Sequence, residues 1–296
     1  MKGAFSTYHP LITFSYFALM LAATMLLMHP VYLALSLFGA LSYAFLFSGR
    51  RALRFSLMGM LPLMLITAVI NPLFNHEGAT ILFYAPWGNP VTLESIQYGV
   101  ASGVMFAAML GWFSCVNAVM TSDKITYLFG RAAPSLAMVF SMVLRFVPKY
   151  QAQLRVISAA QKGVGRDVSS GSVRQKIHHG VRILSVMTTW ALENGIETAD
   201  AMKARGCGLK GRTAFSLYRF ERRDVAAAAA LLFLGAALAA AGAAGACAMR
   251  YYPTARMAPF SALALAAALG YAVLCFLPAA VDLKELYRWK HFESRI

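Results

Sequence analysis

The residues of this 296-residue chain that most resemble a known binding motif are three glycines, Gly206, Gly208 and Gly211. Their spacing matches the G-x-G-x-x-G pattern of dinucleotide sites, and residues 206–213 (GCGLKGRT) differ from an ATP-binding P-loop at one position. Both sites need a strand before the glycines and a helix after them. Here a helical pattern precedes and a basic segment follows, so we interpret Gly206 as the left-handed residue that ends a helix. The sequence has no other P-loop, and we do not expect the chain to hydrolyse ATP itself.

Three carboxylates could instead do acid–base chemistry. Glu193, Glu197 and Asp200 are spaced i, i+4 and i+7, on one face of a helix. No His or Cys lies near them in sequence, and Lys203 and Arg205 are close enough to neutralise them. The pattern favours ion pairs within the chain. An intramembrane lipid-modifying enzyme that uses these carboxylates with a metal stays open as an alternative.

Histidines and cysteines do not form a metal-binding pattern. His178 and His179 are adjacent, so on a helix their side chains diverge by about 100° and cannot bind one metal together. The chain has 4 Cys, which lie far apart without metal or redox spacing. We therefore predict no catalytic residue, no cofactor and no metal site.

Composition places the chain in a membrane. It is 59% hydrophobic and only 13% charged, where soluble domains carry roughly 25% charged residues. The 27 Lys and Arg against 12 Asp and Glu give a net charge of +15. Such a charge suits nucleic acid, an anionic membrane surface or an acidic protein. Basic residues without interleaved aromatics in a soluble fold argue against nucleic acid.

Six apolar runs approach the ~20 residues that cross a bilayer. They are Leu11–Met28, Val31–Phe47, Phe55–Ile70, Ile96–Met120, Val225–Ala248 and Ala258–Val281. We predict an all-α membrane protein with about six transmembrane helices, the first pair joined by a tight turn at His29-Pro30. The first run lacks a small-residue cleavage site and is taken as an anchor. The near absence of charge inside the runs argues against a stand-alone carrier, which remains a further alternative.

Lys and Arg placement predicts the orientation. Residues 71–95 contain no Lys or Arg and are expected outside, whereas Arg50, Arg51 and Arg54 are expected inside. Both termini then face the cytoplasm of a bacterial cell. We divide the chain into N-terminal membrane helices (1–120), a cytoplasmic region (121–223), and C-terminal membrane helices with a tail (224–296).

The cytoplasmic region is too long to be an unstructured loop. Apolar residues from Leu136 to Ile157 repeat at three and four residues, which predicts a helix that Pro148 interrupts and that resumes toward Lys162. A second amphipathic helix is predicted over Val173–Arg205. We expect the two long helices to cross beneath the bilayer, with ends near Gly163 and Gly206 that point toward the cytoplasm.

A stripe of small residues marks the fourth run. Gly99, Gly103, Ala107 and Gly111 recur at every fourth position, which lets helix backbones approach closely in a membrane. The stripe could pack within the chain or form a face for a separate membrane partner.

Three segments give the sequence a family resemblance. They are 117–148 (NAVMTSDKITYLFGRAAPSLAMVFSMVLRFVP), Ala159 to Lys162 (AAQK) and 190–208 (WALENGIETADAMKARGCG), the last followed by Gly211, Arg212 and Thr213. The chain resembles the T component, the transmembrane scaffold, of energy-coupling factor transporters. Family members carry an Ala-Arg-Gly-like triplet at the end of each of two coupling helices. Ala204, Arg205 and Gly206 match the second triplet. The first is replaced by Gly163, Val164 and Gly165, which lack the central arginine, and Arg166 is the candidate to substitute for it.

The resemblance implies a non-catalytic role in uptake of a vitamin or a transition metal such as cobalt. T components couple two cytoplasmic ABC ATPase subunits to a small membrane subunit that binds the substrate. The arginine of each triplet docks in an ATPase groove, which assigns ATPase docking to Ala204–Gly206, with Arg205 dominant, and to 163–166. The stripe from Gly99 to Gly111 becomes the candidate face for the substrate-binding subunit.

Overall fold

The computed structural model describes residues 3–84, 89–168, 171–207, 209, 218–257, 259 and 261–293. Most of this chain is helical, as the sequence predicts for an all-α membrane protein. The helices are α1 (Pro10–Leu26), α2 (Pro30–Phe74), α3 (Leu93–Val119), α4 (Ser122–Ala132), α5 (Pro134–Gly163), α6 (Val173–Ala204), α7 (Arg222–Ala243) and α8 (Ala262–Glu293). A short 3-10 helix, Ala4–Thr7, precedes them. Two small antiparallel hairpins pair β1 (Ile81–Tyr84) with β2 (Pro90–Thr92), and β3 (Met249–Arg250) with β4 (Arg256–Met257).

The chain divides into two compact units. Met1–Thr121 and Tyr218–Ile296 form the first unit, and Ser122–Leu217 form the second. The first and third predicted segments thus combine in one helical unit. The predicted middle segment, 121–223, extends a few residues beyond the second unit at its C-terminal end.

Four of the described helices contain stretches long and apolar enough to cross a membrane. These are Pro30–Phe47 of α2, Leu93–Val119, Arg222–Ala243 and Ala262–Trp289. Two further predicted runs correspond to shorter apolar helices, Pro10–Leu26 and Met58–Phe74. The runs predicted as Val31–Phe47 and Phe55–Ile70 both belong to α2. They are separated at Gly49, whose backbone has a positive φ and an extended ψ (φ 70°, ψ −167°) and breaks the helix path. Glycine adopts this conformation without the penalty of a side chain.

A His-Pro pair starts both α1 and α2. His9 and His29 are the N-cap residues, and Pro10 and Pro30 occupy the first helical position, where a missing N–H is harmless. Each imidazole Nδ1 accepts the backbone N–H two residues on, at 3.3 Å. The His-Pro motif lets each helix begin at a defined residue. As a result, only Leu27, Met28 and His29 separate α1 from α2.

At one end of the first unit, two carboxylates, one buried and one half-buried, accept hydrogen bonds from the backbone of the N-terminal segment. Asp282, late in α8, accepts the Phe5 backbone N–H at 2.7 Å. Asp224, in the first turn of α7, accepts the His9 N–H at 3.2 Å and is 2% exposed. The N-terminus, the start of α7 and the late part of α8 therefore meet at what we call the first end.

The opposite, second end is closed by tyrosines. The Tyr251 hydroxyl donates to the Met28 carbonyl at 2.7 Å, and the Asn75 side chain donates to the Tyr252 hydroxyl at 2.9 Å. Tyr98, near the start of α3, stacks edge-on against Tyr251 with ring centroids 5.4 Å apart. The ends of α1 and α2 thus meet the start of α3 and the β3–β4 segment here.

A polar cluster joins four helices of the first unit. The Trp112 indole donates to Ser36 Oγ at 2.9 Å, and Ser36 shares a 2.7 Å hydrogen bond with Thr24. The Tyr271 hydroxyl lies 3.3 Å from Thr24 Oγ1. These four side chains come from α3, α2, α1 and α8, so the hydrogen bonds link four helices to one another.

Asp282→Ala tests the carboxylate that anchors the N-terminus. The substitution leaves the buried Phe5 N–H without its acceptor, which costs about 1–3 kcal/mol. We expect a lower thermal unfolding midpoint in detergent and faster proteolysis near the N-terminus. Glu285→Ala is the control, because Glu285 is exposed on the same helix. Equal midpoints for the two variants would contradict the anchoring role.

Candidate functional site

The end of α6, residues 202–207, forms what we call the second tip. The Gly206 N–H bonds the Lys203 carbonyl and the Cys207 N–H bonds the Met202 carbonyl, both at 3.0 Å. Gly206 is left-handed, with φ of 78°. This pair of bonds is the Schellman motif, which satisfies carbonyls that would otherwise end the helix unpaired. Gly206 therefore ends the helix as the sequence predicts. Gly208 and residues 210–213 lie outside the described residues.

The end of α5, residues 161–166, forms the first tip and repeats the same turn. The Gly165 N–H bonds the Lys162 carbonyl and the Arg166 N–H bonds the Gln161 carbonyl, both at 2.9 Å. Gly165 is left-handed with φ of 77°. Two helices separated by nine loop residues thus end in one and the same backbone geometry.

The shared turn aligns the tips residue by residue. Ala204, Arg205 and Gly206 of the second tip correspond to Gly163, Val164 and Gly165 of the first. Arg205 is exposed, and Val164 at the matching position is 67% exposed. Arg166 corresponds to Cys207, two positions past Val164, and is only half-buried rather than exposed. The first tip therefore presents an aliphatic side chain where the second presents a guanidinium.

Charge also differs between the tips. At the first tip Lys162 forms an ion pair with Asp167, at 3.4 Å. At the second tip Lys203 and Arg205 are both exposed, and neither pairs with a carboxylate among the residues that the structure describes. The second tip is the more positive surface.

The helices α5 and α6 contact each other near their middles. Lys149 donates to the Asn194 side chain at 2.8 Å, and its ammonium lies 5.6 Å from the centre of the Trp190 ring. The Tyr150 ring packs edge-on against Trp190 at 5.5 Å. Here α5 is continuous through Pro148, so the predicted interruption was wrong. One proline removes a single N–H donor, and the helix tolerates that loss at this contact.

The two tips lie toward opposite ends of the helix pair. Cys207, just after α6, contacts Met138 near the start of α5, with the sulfur atoms 3.9 Å apart. The second tip is therefore near the beginning of α5, whereas the first tip is at its end. Each tip lies about 20 Å along its helix from the crossing, at 1.5 Å per residue.

The carboxylates Glu193, Glu197 and Asp200 are exposed on α6. The ion pairs predicted for them were not found with any described basic residue, because Lys203 and Arg205 turn to solvent at the tip. Three solvated carboxylates on an open helix surface do not form a pocket that could hold a substrate.

The stripe of small residues on α3 packs within the chain. A Cβ at Gly103 would lie 2.8 Å from the Met64 carbonyl oxygen, and one at Gly99 would lie 3.0 Å from the Ala68 carbonyl oxygen. A Cβ at Gly111 would lie 2.9 Å from Ala40 Cβ, and Ala107 is 2% exposed. The face considered for a membrane partner is thus filled by α2. The stripe therefore packs within the chain and is not a face for a separate membrane partner, because its close contact with the α2 backbone leaves no room for another helix.

Both long helices carry exposed apolar side chains. On α5 these include Val139, Val143 and Val147, at 55%, 50% and 47% exposure. On α6 they include Val181, Leu184 and Leu192, at 60%, 65% and 65%. Apolar surface of this extent on a helix pair is typical of contact with lipid or with another protein.

Comparison with known proteins gives a consistent result. No family model matches the chain. The energy-coupling factor transporter transmembrane protein EcfT 1 of Listeria monocytogenes is 30% identical over 191 residues, which are 60% of this chain and 70% of that protein. The EcfT protein of Lacticaseibacillus paracasei is 29% identical over 198 residues, 61% of this chain and 73% of its own. That of Bacillus selenitireducens is 26% identical over 217 residues, 68% and 79% of the two chains.

Gly103→Ala tests the packing of α3 on α2. The added methyl group meets a backbone oxygen, and overpacking of this kind costs about 1–3 kcal/mol. We expect a lower unfolding midpoint in detergent. Gly242→Ala is the matched control, because no described atom lies within 4 Å of its added Cβ and alanine favours the helix. If Gly103→Ala were as stable as Gly242→Ala, the packing role of the stripe would be refuted.

Proposed function

This chain belongs to the family of energy-coupling factor transporter transmembrane proteins, and from that premise we propose that it is a non-catalytic scaffold that couples separate ATPases to substrate uptake. In this proposal two cytoplasmic ABC ATPase subunits bind the first and second tips. A small membrane subunit binds the substrate, which is a vitamin or a transition-metal ion. Family membership makes the chain a multi-pass protein of the cell membrane. The docking residues, the partners and the substrate class are the proposal.

The single observation that carries the proposal is the pair of matching tips. Each tip has one exposed residue at the C-cap, immediately before a left-handed glycine. Because that glycine has no side chain, a partner can approach the C-cap residue closely. At the second tip that residue is Arg205, whose planar guanidinium offers five donors to carboxylates or carbonyls in a groove. The opposite placement of the tips suits two separate ATPase subunits, one for each tip.

The membrane topology in the proposal has six spans. The six segments α1, both halves of α2, α3, α7 and α8 run alternately between the first end and the second end. Because their number is even, both termini lie at the first end. The exposed Arg54, Arg222 and Arg223 supply positive charge on the side of the first end, whereas 71–95 at the second end has no Lys or Arg. The positive-inside tendency then puts the first end and both termini in the cytoplasm. Arg250 and Arg256 in the β3–β4 hairpin are the exceptions.

The exposed apolar faces of α5 and α6 are the proposed contact surface for the substrate-binding subunit. We propose this surface in place of the Gly99–Gly111 stripe, because α2 already covers the stripe. It also fits a partner that is itself hydrophobic, since valine and leucine dominate it. A movement of either helix at its tip would then act directly on the subunit that holds the substrate.

The alternative functions have less support. A lipid-modifying enzyme would need Glu193, Glu197 and Asp200 gathered in a pocket, and they lie exposed on one helix. A stand-alone carrier usually has ionisable groups aimed into a cavity at bilayer depth. The buried Asp224 and the half-buried Asp282 are instead engaged at the first end by the backbone N–H groups of His9 and Phe5.

Arg205→Glu tests docking at the second tip. Loss of a charge-assisted contact costs about 1.5–3 kcal/mol, so binding of an ATPase should weaken by one to two decades, with repulsion adding to the loss. We expect co-purification of that ATPase and uptake to fall together, while the unfolding midpoint of the membrane protein is unchanged. Arg182→Glu is the control, because Arg182 is exposed on the same helix about 35 Å from the tip. Retained ATPase binding in Arg205→Glu would exclude the docking role.

Cysteine labelling tests the orientation in a Cys207→Ser background, where Cys115, Cys247 and Cys275 are buried. Glu77→Cys at the second end should react with a membrane-impermeant maleimide in intact cells. Thr121→Cys at the first end should react only after permeabilisation. Both positions are exposed, so reversed labelling would mean that the proposed orientation is wrong.

A further inference from the structure

The strongest unexplained feature of the chain is the chemical difference between its two geometrically matched tips. The backbone turns are the same, with left-handed glycines at φ of 77° and 78°. The side chain at the shared C-cap position is Val164 at one tip and Arg205 at the other. Nothing within the described chain covers Val164, which is 67% exposed. An aliphatic side chain held out at a helix end by a glycine turn is placed for contact with another protein.

We propose that the two tips take chemically different ATPase grooves: an apolar groove receives Val164, and an acidic groove receives Arg205. This inference rests on the proposed function and adds which contact each tip makes. The chain itself then decides which ATPase surface binds which tip, because exchanging them would bury Arg205 without a partner charge.

Arg166 does not restore the missing arginine at the first tip. It follows the left-handed glycine instead of preceding it, so it starts from a different point of the turn. It is half-buried, whereas Arg205 is exposed. Its backbone N–H donates to the Gln161 carbonyl at 2.9 Å, as the backbone N–H of Cys207 does to Met202 at the second tip. Val164, not Arg166, is the residue in the docking position.

Local charge supports an apolar groove at the first tip. The neighbouring Lys162 forms an ion pair with Asp167, so the carboxylate of Asp167 offsets part of the positive charge next to Val164. Gly163 and Gly165 flank the valine, and no described atom lies within 4 Å of a Cβ built at either. A partner surface can therefore approach the valine closely from both sides.

The two contacts should respond differently to salt. Attraction between charges weakens as ionic strength rises, because the screening length falls from about 10 Å at 0.1 M to about 3 Å at 1 M. Burial of an aliphatic side chain is not weakened in this way. Binding through the first tip should accordingly survive salt that removes binding through the second.

The experiment compares Val164→Glu, Arg166→Glu, Val173→Glu and Arg205→Glu in the full-length protein. Each is reconstituted in nanodiscs, and binding of each purified ATPase subunit that co-purifies with the wild type is measured at about 0.1 M and 0.5 M salt. Val173 is the matched control, because it is 74% exposed at the start of α6, where a glutamate suits the helix N-terminus. Unfolding midpoints are measured for every variant, and Val164→Ile checks that an aliphatic replacement keeps binding.

We expect Val164→Glu to weaken one ATPase at least about tenfold, since it places a charge in an apolar groove. Arg166→Glu and Val173→Glu should change binding less than about threefold, and binding that remains in Arg205→Glu should be nearly independent of salt. Wild-type binding by Val164→Glu, a larger loss in Arg166→Glu, or salt-sensitive binding at the first tip would each overturn this inference.

The outcome also separates this inference from the proposed function. If Arg205→Glu loses an ATPase while Val164→Glu binds as the wild type does, only the assignment of the first tip fails. If the double variant Val164→Glu, Arg205→Glu still binds both ATPases, docking at the tips fails altogether and the proposed function fails with it.

Discussion

Everything in the proposed mechanism depends on how an exposed helix ends. The last carbonyls of α5 and α6 have no partners within the helix, and in each case the N–H groups of the next two residues turn back to satisfy them. That turn requires a left-handed residue, which glycine supplies without a side-chain clash. As a consequence the residue before the glycine is held at the outermost point of the helix. A requirement of backbone hydrogen bonding thereby fixes one side chain at each tip in a defined position.

The first unit solves a different problem, which is the scarcity of polar partners in a bilayer. The glycines of α3 lie in close contact with the backbone of α2. Trp112, Ser36 and Thr24 supply hydrogen bonds between helices. Carboxylates occur where backbone donors must be satisfied, at Asp224 and Asp282. The chain leaves this unit after Thr121 and returns to it at Tyr218. The residues on either side of that excursion belong to a firmly packed end, with Met120 accepting from Thr13 and Phe220 stacked on His9.

Much of this architecture is predictable from local pattern, and the exceptions have physical causes. The bounds of α6 and the left-handed Gly206 follow from a long amphipathic period that ends in glycine. The break at Gly49, between the two halves of α2, agrees with the two separate apolar runs of the sequence. The continuity of α5 at Pro148 does not follow from the sequence, because tertiary contacts can hold a helix together at a breaker residue. The occupant of the Gly99–Gly111 stripe could not be predicted either, since small residues show only that something packs closely. The carboxylates Asp224 and Asp282 were missed because their acceptor role depends on a contact more than two hundred residues away in sequence.

The crossing of α5 and α6 is what would let two docking events act on one another. The described side-chain contacts between the helices lie at two places. Near the middles, Lys149 bonds Asn194 and Tyr150 meets Trp190, and at the end of α6 Cys207 meets Met138. A pair of long helices that contact near their middles can change its crossing angle while each helix stays intact, because helical hydrogen bonds lie within each helix. The contact between the Cys207 and Met138 sulfur atoms would have to shift in such a motion. Tips about 20 Å from the crossing convert such a rotation into displacements several times larger than those at the crossing. If the ATPases hold the tips by one residue each, their approach on binding ATP would close that angle, and the exposed valines and leucines along both helices would carry the motion into the membrane subunit.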